Sequence, residues 1–266
     1  MLQNFKDPRK MAKSLKGIFS VYKEKGMTSM DVLRFLRLQI EDDLGLNTDM
    51  YGVRFGHGGI LDHSACGVLA VALGSKCKKL RWFYHGDKKY SAVGCLGIST
   101  DTYDTSGKII GEKPFDNVTK EMIGDAIKQF EGKILQKPPP YCALKLDRIR
   151  FSDLIGNGID VSPEPRYVHC HSISCREFNP PYFSLDIHCG GGFYVRSLVH
   201  DLGLALGSCA HVAELERTQH GPFTVKDALR QYQWSYTEVM EAVTKANEMC
   251  EKYFITTKNQ MTDNES

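Results

Sequence analysis

A carboxylate set among glycines is the first group in this chain with the makings of a catalyst. Residues 55–74 read FGHGGILDHSACGVLAVALG, which puts Asp62 between a glycine-rich turn and an apolar run. Gly56, Gly58 and Gly59 can adopt backbone angles closed to other residues and let another molecule come near the main chain. The run from Val68 to Leu73 predicts a buried strand. A carboxylate where a loop meets a rigid strand can serve as a nucleophile or a base. Tyr90, in the strand-like run KYSAVG, offers an aromatic face, and Arg196, just after GGGFYV, offers a forked cation. Each also has a plainer reading: Asp62 as a turn cap, Tyr90 as a core side chain, Arg196 as an ion-pair donor at a helix start.

The elements that must hold these groups follow from local pattern. Residues 17–23 (GIFSVYK) predict a strand, and Thr28 or Ser29 caps a helix to about Ile40, with Asp31 in its first turn. A loop over 41–53 precedes the Asp62 segment, and a lysine-rich helix near 76–85 leads to a strand from Lys89 to Gly94. TDTYDTSG (100–107) is a turn rich in side chains that bond their own backbone. An amphipathic helix over 119–130 is followed by Pro138-Pro139-Pro140, which impose extended backbone. Strands near 167–175 and 182–189 lead to a glycine turn entering a helix (190–203). A strand near 211–218, the HGPF turn (220–223) and two polar helices complete the chain. Strands spaced so irregularly predict an α+β fold: a central mixed, mainly antiparallel sheet flanked by helices. Residues 1–16, with Lys6, Arg9, Lys10, Lys13 and Lys16, are expected to form a basic flexible leader. Residues 17–255 are expected to form one folded domain and residues 256–266 a disordered tail.

Bulk properties narrow the class. The 266 residues are 42% hydrophobic and 25% charged, with net charge +2, so the chain lacks the overall basicity of many nucleic-acid binders. The positive charge is clustered instead: Lys76, Lys78, Lys79 and Arg81, then Lys88 and Lys89, a pattern able to follow a phosphate backbone or to form a solvated face. Apolar runs such as Gly67 to Gly74 are too short to span a bilayer, so no membrane partner is expected. Nine cysteines without a CxxC pair argue for free thiols in a reducing compartment: cytosol, nucleus or mitochondrial matrix. The triplet His169-Cys170-His171 lies in an alternating run and reads as one strand with opposed side chains, so no metal site is expected.

Five segments stand in a telling order: GHGGILD with GVL (56–69), Lys89-Tyr90, TDTYDTSG, PPPYCALK (138–145), and GGGFYVRSLVHDLG with CAHVAELERT (209–218). This set closely resembles the TruB family of RNA pseudouridine synthases over roughly residues 17–224, and its wording is nearer the eukaryotic stand-alone branch than the bacterial enzymes. Guide-dependent relatives, which carry a C-terminal RNA-binding PUA domain, fit less well, because only a short, mostly polar stretch follows Phe223. The resemblance implies the pseudouridine synthase catalytic fold and conversion of uridine to pseudouridine in the T arm of tRNA, at position 55 of conventional tRNA numbering. Hairpins of messenger RNA that mimic the T arm are further expected substrates. It implies no cofactor and no guide RNA; a monomer is the default expectation, and a nuclear or cytosolic location is expected, with a mitochondrial one also open.

Roles follow residue by residue. Asp62 matches the catalytic aspartate, Tyr90 the tyrosine that stacks on the target uracil and moves its C5 proton, and Arg196 the arginine that aims the aspartate. His57 matches a histidine that fills the space left by flipped bases. Lys23, Lys78 and Leu215 match residues that line the base pocket or touch RNA, with Lys76, Lys79 and Lys88 as further expected RNA contacts. Ile60 stands where the family usually has threonine, His63 where it has proline or a small residue, and Glu24 where it has proline. The segment after Lys145 is short of the family's usual glycine and aromatic residue. These departures bear on affinity and substrate range, because none removes a catalytic group. A reading from another class remains beside the enzyme: an RNA-binding, tRNA-folding protein whose role does not depend on catalysis.

Overall fold

Apolar continuity and capping chemistry decide where the elements begin and end in the computed structural model of the chain, which describes residues 7–263, with side chains to residue 258. Two compact units result: one formed by the residues up to Gly86 and those from Arg217 onward, the other by Asp87–Glu216. The sequence reading took 17–255 as a single domain.

The first unit opens with helix α1 (Pro8–Ser14), where a flexible leader was expected. The Asp7 side chain accepts from the Arg9 amide at 2.9 Å, and Pro8 sits at the first helical turn, where its missing N–H costs nothing. Strand β1 (Gly17–Lys23) is buried along its whole length. Helix α2 (Ser29–Leu44) starts with a reciprocal box: Thr28 Oγ1 accepts from the Asp31 amide, and Asp31 Oδ2 accepts from the Thr28 amide. It ends at Gly45, in the left-handed region at φ 59°, about one turn beyond the expected Ile40. Strand β2 (Phe55–His57) pairs antiparallel with β3 (Cys66–Leu73), and β3 pairs antiparallel with β1, from Gly17 opposite Leu73 to Lys23 opposite Gly67. Alternation explains why β1 and β3 are apolar throughout. Phe19, Val21, Leu69, Val71 and Leu73 pack into one core with α2, while Ile18, Tyr22, Val68, Ala70 and Ala72 pack into another with Phe83 and Phe223. The lysine-rich stretch is a 3-10 turn over Gly74–Lys79, followed by the short helix α3 (Arg81–His85).

In the second unit, β4 (Lys88–Leu96) is followed by a small ladder of β5 (Ile98–Thr100) and β6 (Ile109–Glu112). Helix α4 (Lys120–Ala126) and a 3-10 turn precede β7 (Gly132–Gln136). A two-residue ladder of β8 (Lys145–Leu146) and β9 (Ile149–Arg150) leads into α5 (Phe151–Gly156). Strands β10 (Arg166–Asn179) and β11 (Tyr182–Cys189), helix α6 (Val195–Ala205) and the start of β12 (Ala210–His220) complete the unit. Its strands run in the order β12, β4, β11, β10, β7, with each neighbouring pair from β4 to β7 antiparallel.

The chain returns to the first unit within β12 and adds β13 (Phe223–Thr224), β14 (Ala228–Leu229) and helix α7 (Tyr236–Asp263). The short pairing of β14 with β1 is parallel, in contrast to the antiparallel ladders described above. The fold class is thus α+β with a mainly antiparallel sheet, as expected. One continuous helix stands where two were expected, and it runs through most of the stretch taken for a disordered tail, with Thr257 buried. Its apolar Val239, Val243 and Ala246 face the two cores of the unit.

Candidate active site

Asp62 lies half-buried on the loop between β2 and β3, and main-chain contacts hold that loop from several directions. Ser29, at the start of α2, accepts from the Leu61 amide at 3.0 Å and donates to the Leu61 carbonyl at 3.3 Å. Arg217, 1% exposed, donates from Nε to Val68 O at 2.7 Å, from Nη1 to Ile60 O at 3.3 Å and from Nη2 to Gly59 O at 3.3 Å. Lys23 Nζ donates to Ala65 O at 2.6 Å, and the Gly26 amide donates to His63 O. The carboxylate-bearing segment is therefore fixed on both sides of Asp62, as a catalytic group needs.

The glycines of this segment do a different job from the one expected. A Cβ on Gly56 would lie 2.7 Å from Leu80 Cδ1, and one on Gly58 would lie 2.5 Å from the Phe83 Cβ. The chain's own side chains, and not a second molecule, fill that space. Gly67 is more demanding: at φ +118°, its Cβ would meet Arg217 O at 2.4 Å and Arg217 N at 2.6 Å, so β3 and β12 touch there only because the side chain is absent.

Five further expected residues fall in the same unit. His57 is half-buried, and its Nδ1 accepts from the Gly59 amide at 3.4 Å, so it braces its own turn. Burial, assisted by the Arg217 cation, lowers its pKa to about 4 and keeps the ring neutral near pH 7. Lys23 corrects the expectation of a group offered to RNA. It is fully buried, and its three protons go to Glu24 O, Met27 O and Ala65 O at 3.1, 2.7 and 2.6 Å, while burial lowers its pKa to about 8. Lys78 is exposed and shares a groove with Arg9, Lys13, Lys16 and Arg54. Lys76 and Lys79 are exposed on the same 3-10 turn, with Lys79 Nζ 5.3 Å from the Phe254 ring centroid.

The second unit holds the others. Tyr90 is half-buried in β4, opposite Ile187 of β11. Leu215 is a core side chain of β12, 8% exposed. Arg196, 5% exposed, stands at the start of α6 and donates from Nη1 to Thr102 O at 2.7 Å and from Nη2 to Tyr141 O at 3.0 Å. One guanidinium thus ties together the TDTYDTSG turn, the PPPYCALK segment and the helix after the triple glycine. Asp104 organises that turn: Oδ1 accepts from Thr102 Oγ1 at 2.7 Å, Ser106 N at 2.9 Å and Ser106 Oγ at 2.5 Å. Tyr103 adopts φ +63° there, and its ring stacks on His200 of α6 with centroids 3.8 Å apart and planes nearly parallel at 6°. Burial also raises the neighbouring Asp201 to about 6. Lys88 is 6% exposed, which corrects its assignment to the RNA-facing lysines: as the first residue of β4 it is buried within the fold.

Sequence reasoning missed Arg217 and Ser29. The signal for Arg217 was present, since it nearly closes the CAHVAELERT segment already singled out, but a lone arginine in a strand does not announce which carbonyls it will meet. The His169-Cys170-His171 triplet splits as expected, with Cys170 fully buried and both histidines exposed.

Asp62 thus lies on a clamped loop, Tyr90 on a strand and Arg196, buried, at a helix start. The family model for TruB family pseudouridylate synthase (N terminal domain) matches residues 48–195, and that for the tRNA pseudouridylate synthase B C-terminal domain matches residues 196–254. The chain is 44% identical to human pseudouridylate synthase TRUB1 over 238 residues, 86% of this chain and 68% of that protein. To tRNA pseudouridine synthase B of Clostridium tetani it is 33% identical over 239 residues, 90% of this chain and 79% of that protein. Among solved structures, a Cbf5-Nop10-Gar1 complex matches with TM-score 0.61 and 28% identity, covering 86% of this chain and 56% of the solved one. The chain therefore spans less than two thirds of that solved protein.

Proposed function

Because the chain belongs to the TruB family of pseudouridylate synthases, we propose that it acts on the T-loop uridine of tRNA, position 55 in conventional numbering, and on messenger RNA hairpins that present the same loop. It is an RNA pseudouridine synthase. The observation that supports catalysis is the Asp62 loop, a carboxylate whose flanking backbone is held by Ser29, Arg217 and Lys23; the T-loop position follows from the family resemblance.

The reaction breaks the C1′–N1 bond, turns the uracil and joins C1′ to C5, while C5 loses a proton and N1 gains one. Atoms and electrons balance within the substrate, so no oxidant and no hydrolytic water is consumed. The reacting atoms are hidden in a folded RNA loop, and the nucleotide must be turned out into a pocket. In this reading Asp62 attacks C6 or C1′, or takes the ribose C2′ proton. Tyr90 stacks on the detached base, worth about 1–3 kcal/mol, and moves the C5 proton. The role that the family resemblance gives Arg196 is to orient the catalytic aspartate by a charge-assisted contact. The protein works on tRNA as a monomer without a guide RNA.

The test is conversion of an unmodified tRNA transcript by purified protein, read by base-resolved pseudouridine mapping. Conversion at the T-loop uridine is expected, abolished in Asp62→Asn and severely reduced in Arg196→Met, with Arg196→Lys recovering little. Folded protein that leaves every T-loop uridine of an intact transcript unconverted would overturn the reading. A deletion strain fully restored by Asp62→Asn would move the biological role to RNA folding.

A further inference from the structure

Three ligand-type side chains that the uridine chemistry does not use converge within the second unit: Asp87, just before β4, His171 in β10 and His188 in β11. The strand register explains the meeting. Cys170 pairs with Cys189 and Ser172 with His188, which leaves His171 as the extra residue of a bulge. Bulges re-aim side chains in this way. His171 Nε2 lies 3.0 Å from Asp87 Oδ1, and His188 Nε2 lies 3.8 Å from Asp87 Oδ2. The two imidazole centroids are 4.5 Å apart, and one ligand atom from each residue lies within 4.8 Å of the other two.

From this geometry we propose that Asp87, His171 and His188 form a binding site for one zinc-class divalent ion. Nitrogen and oxygen ligands at about 2.0–2.2 Å from a tetrahedral zinc are about 3.3–3.6 Å from one another. His171 Nε2 lies 3.0 Å from Asp87 Oδ1 and His188 Nε2 3.8 Å from Asp87 Oδ2. With one ligand atom from each residue all within 4.8 Å of one another, the set needs only to close by about 1 Å around an ion. Two imidazoles with one carboxylate select zinc, copper or nickel over magnesium or calcium, which demand oxygen ligands. In the metal-free protein the short His171–Asp87 contact is a hydrogen bond. On loading, His171 carries its proton on Nδ1 and offers the Nε2 lone pair, so the ion replaces that bond. The set is part-exposed, and three protein ligands leave a fourth position for water. Lys89, opposite His188 in the register and exposed, is a cation beside the site and tempers the affinity. The ligands come from the approach to β4, from β10 and from β11, so an ion would pin three neighbouring strands.

The sequence hid this site because His171 and His188 are distant in the chain and Asp87 more so, while the adjacent triplet drew attention to the wrong partners. The test uses reduced, chelator-stripped full-length protein titrated with cobalt(II), with zinc as competitor. One cobalt per chain is expected, showing ligand-field bands without a thiolate charge-transfer band, which separates this site from the nine cysteines. Zinc should displace it. His188→Gln and Asp87→Asn, each with an unchanged circular dichroism spectrum, should weaken binding at least about tenfold. A protein that takes up no cobalt, a thiolate band in the parent spectrum, or uptake unchanged in both variants overturns the proposal.

Discussion

Replacing Arg217 with methionine separates the two jobs that this buried cation performs, bracing the first unit and placing the Asp62 loop. Methionine keeps most of the stem's volume but removes the donors to Val68 O, Ile60 O and Gly59 O. The bond to Val68 O at 2.7 Å is a short, charge-assisted one, for which about 1.5–3 kcal/mol is typical, while the two at 3.3 Å are weaker. Removing the cation also relieves its own cost of burial, which offsets part of that destabilisation. The net effect is about 2–4 kcal/mol, or roughly 5–15 °C in melting temperature for a unit of this size. Release of the Gly59 and Ile60 carbonyls lets the backbone beside Asp62 shift, and a displacement near 1 Å can reduce turnover by about 10²-fold. The assay pairs thermal melts with single-turnover conversion of a T-arm RNA, run well below the variant's melting point. Arg217→Lys should recover part of the stability through Val68 and little of the rate, because an ammonium cannot span all three carbonyls. A variant that melts lower yet converts RNA at the parent rate would refute the placing role, and an unchanged melt would refute the bracing role.

Gly67→Ala places a methyl 2.4 Å from Arg217 O at φ +118°, and a destabilisation of about 3 kcal/mol or more should appear as a collapse of the soluble fraction on expression. His57 has a folded pKa of about 4, below its ordinary value of 6.5. As pH falls through that window the unfolded chain takes up a proton that the folded chain refuses, so stability drops there and levels off below it. His57→Gln should remove this contribution, and urea unfolding near pH 7 and near pH 4 should show the variant gaining on the parent at the acid end. Alanine at Lys76, Lys78 and Lys79 together should weaken RNA binding and flatten its log–log salt dependence by about one unit for each phosphate no longer neutralised; an unchanged slope would make the cluster a solvated face.

Much of the fold could be read from local pattern, because its causes are local. The whole-length burial of β1, the apolar run of β3, the Thr28 cap and the glycine turn before α6 depend on neighbours within a few residues. What escaped depends on partners brought together at long range. Arg217 reaches Val68 across 149 positions, and nothing in ELERT distinguishes that arginine from a surface one. Lys23 and Lys88 look like solvated lysines by type, yet one saturates its ammonium on three carbonyls and the other is buried at the first position of a strand. The basic residues before β1 suggested a free arm because charge dominates the stretch, and the apolar Ala12 and Leu15 that seat the helix are too few to form a pattern. For the site, Asp62 was legible from its glycines, although Gly56 and Gly58 prove to accommodate Leu80 and Phe83.

That seated helix has a bearing on how the protein can be matured. Ala12 and Leu15, 6% and 1% exposed, belong to the same apolar cluster as Phe19, Leu36 and Leu73. A processing peptidase that treated the basic stretch as a disposable address and cut at Lys16 would strip both side chains from that cluster. The hole left by Leu15 alone would cost about 2–5 kcal/mol, and Arg9 and Lys13 would leave the groove that Lys78 shares. Trimming that stops ahead of Asp7, whose carboxylate starts the helix, leaves that cluster and that groove whole.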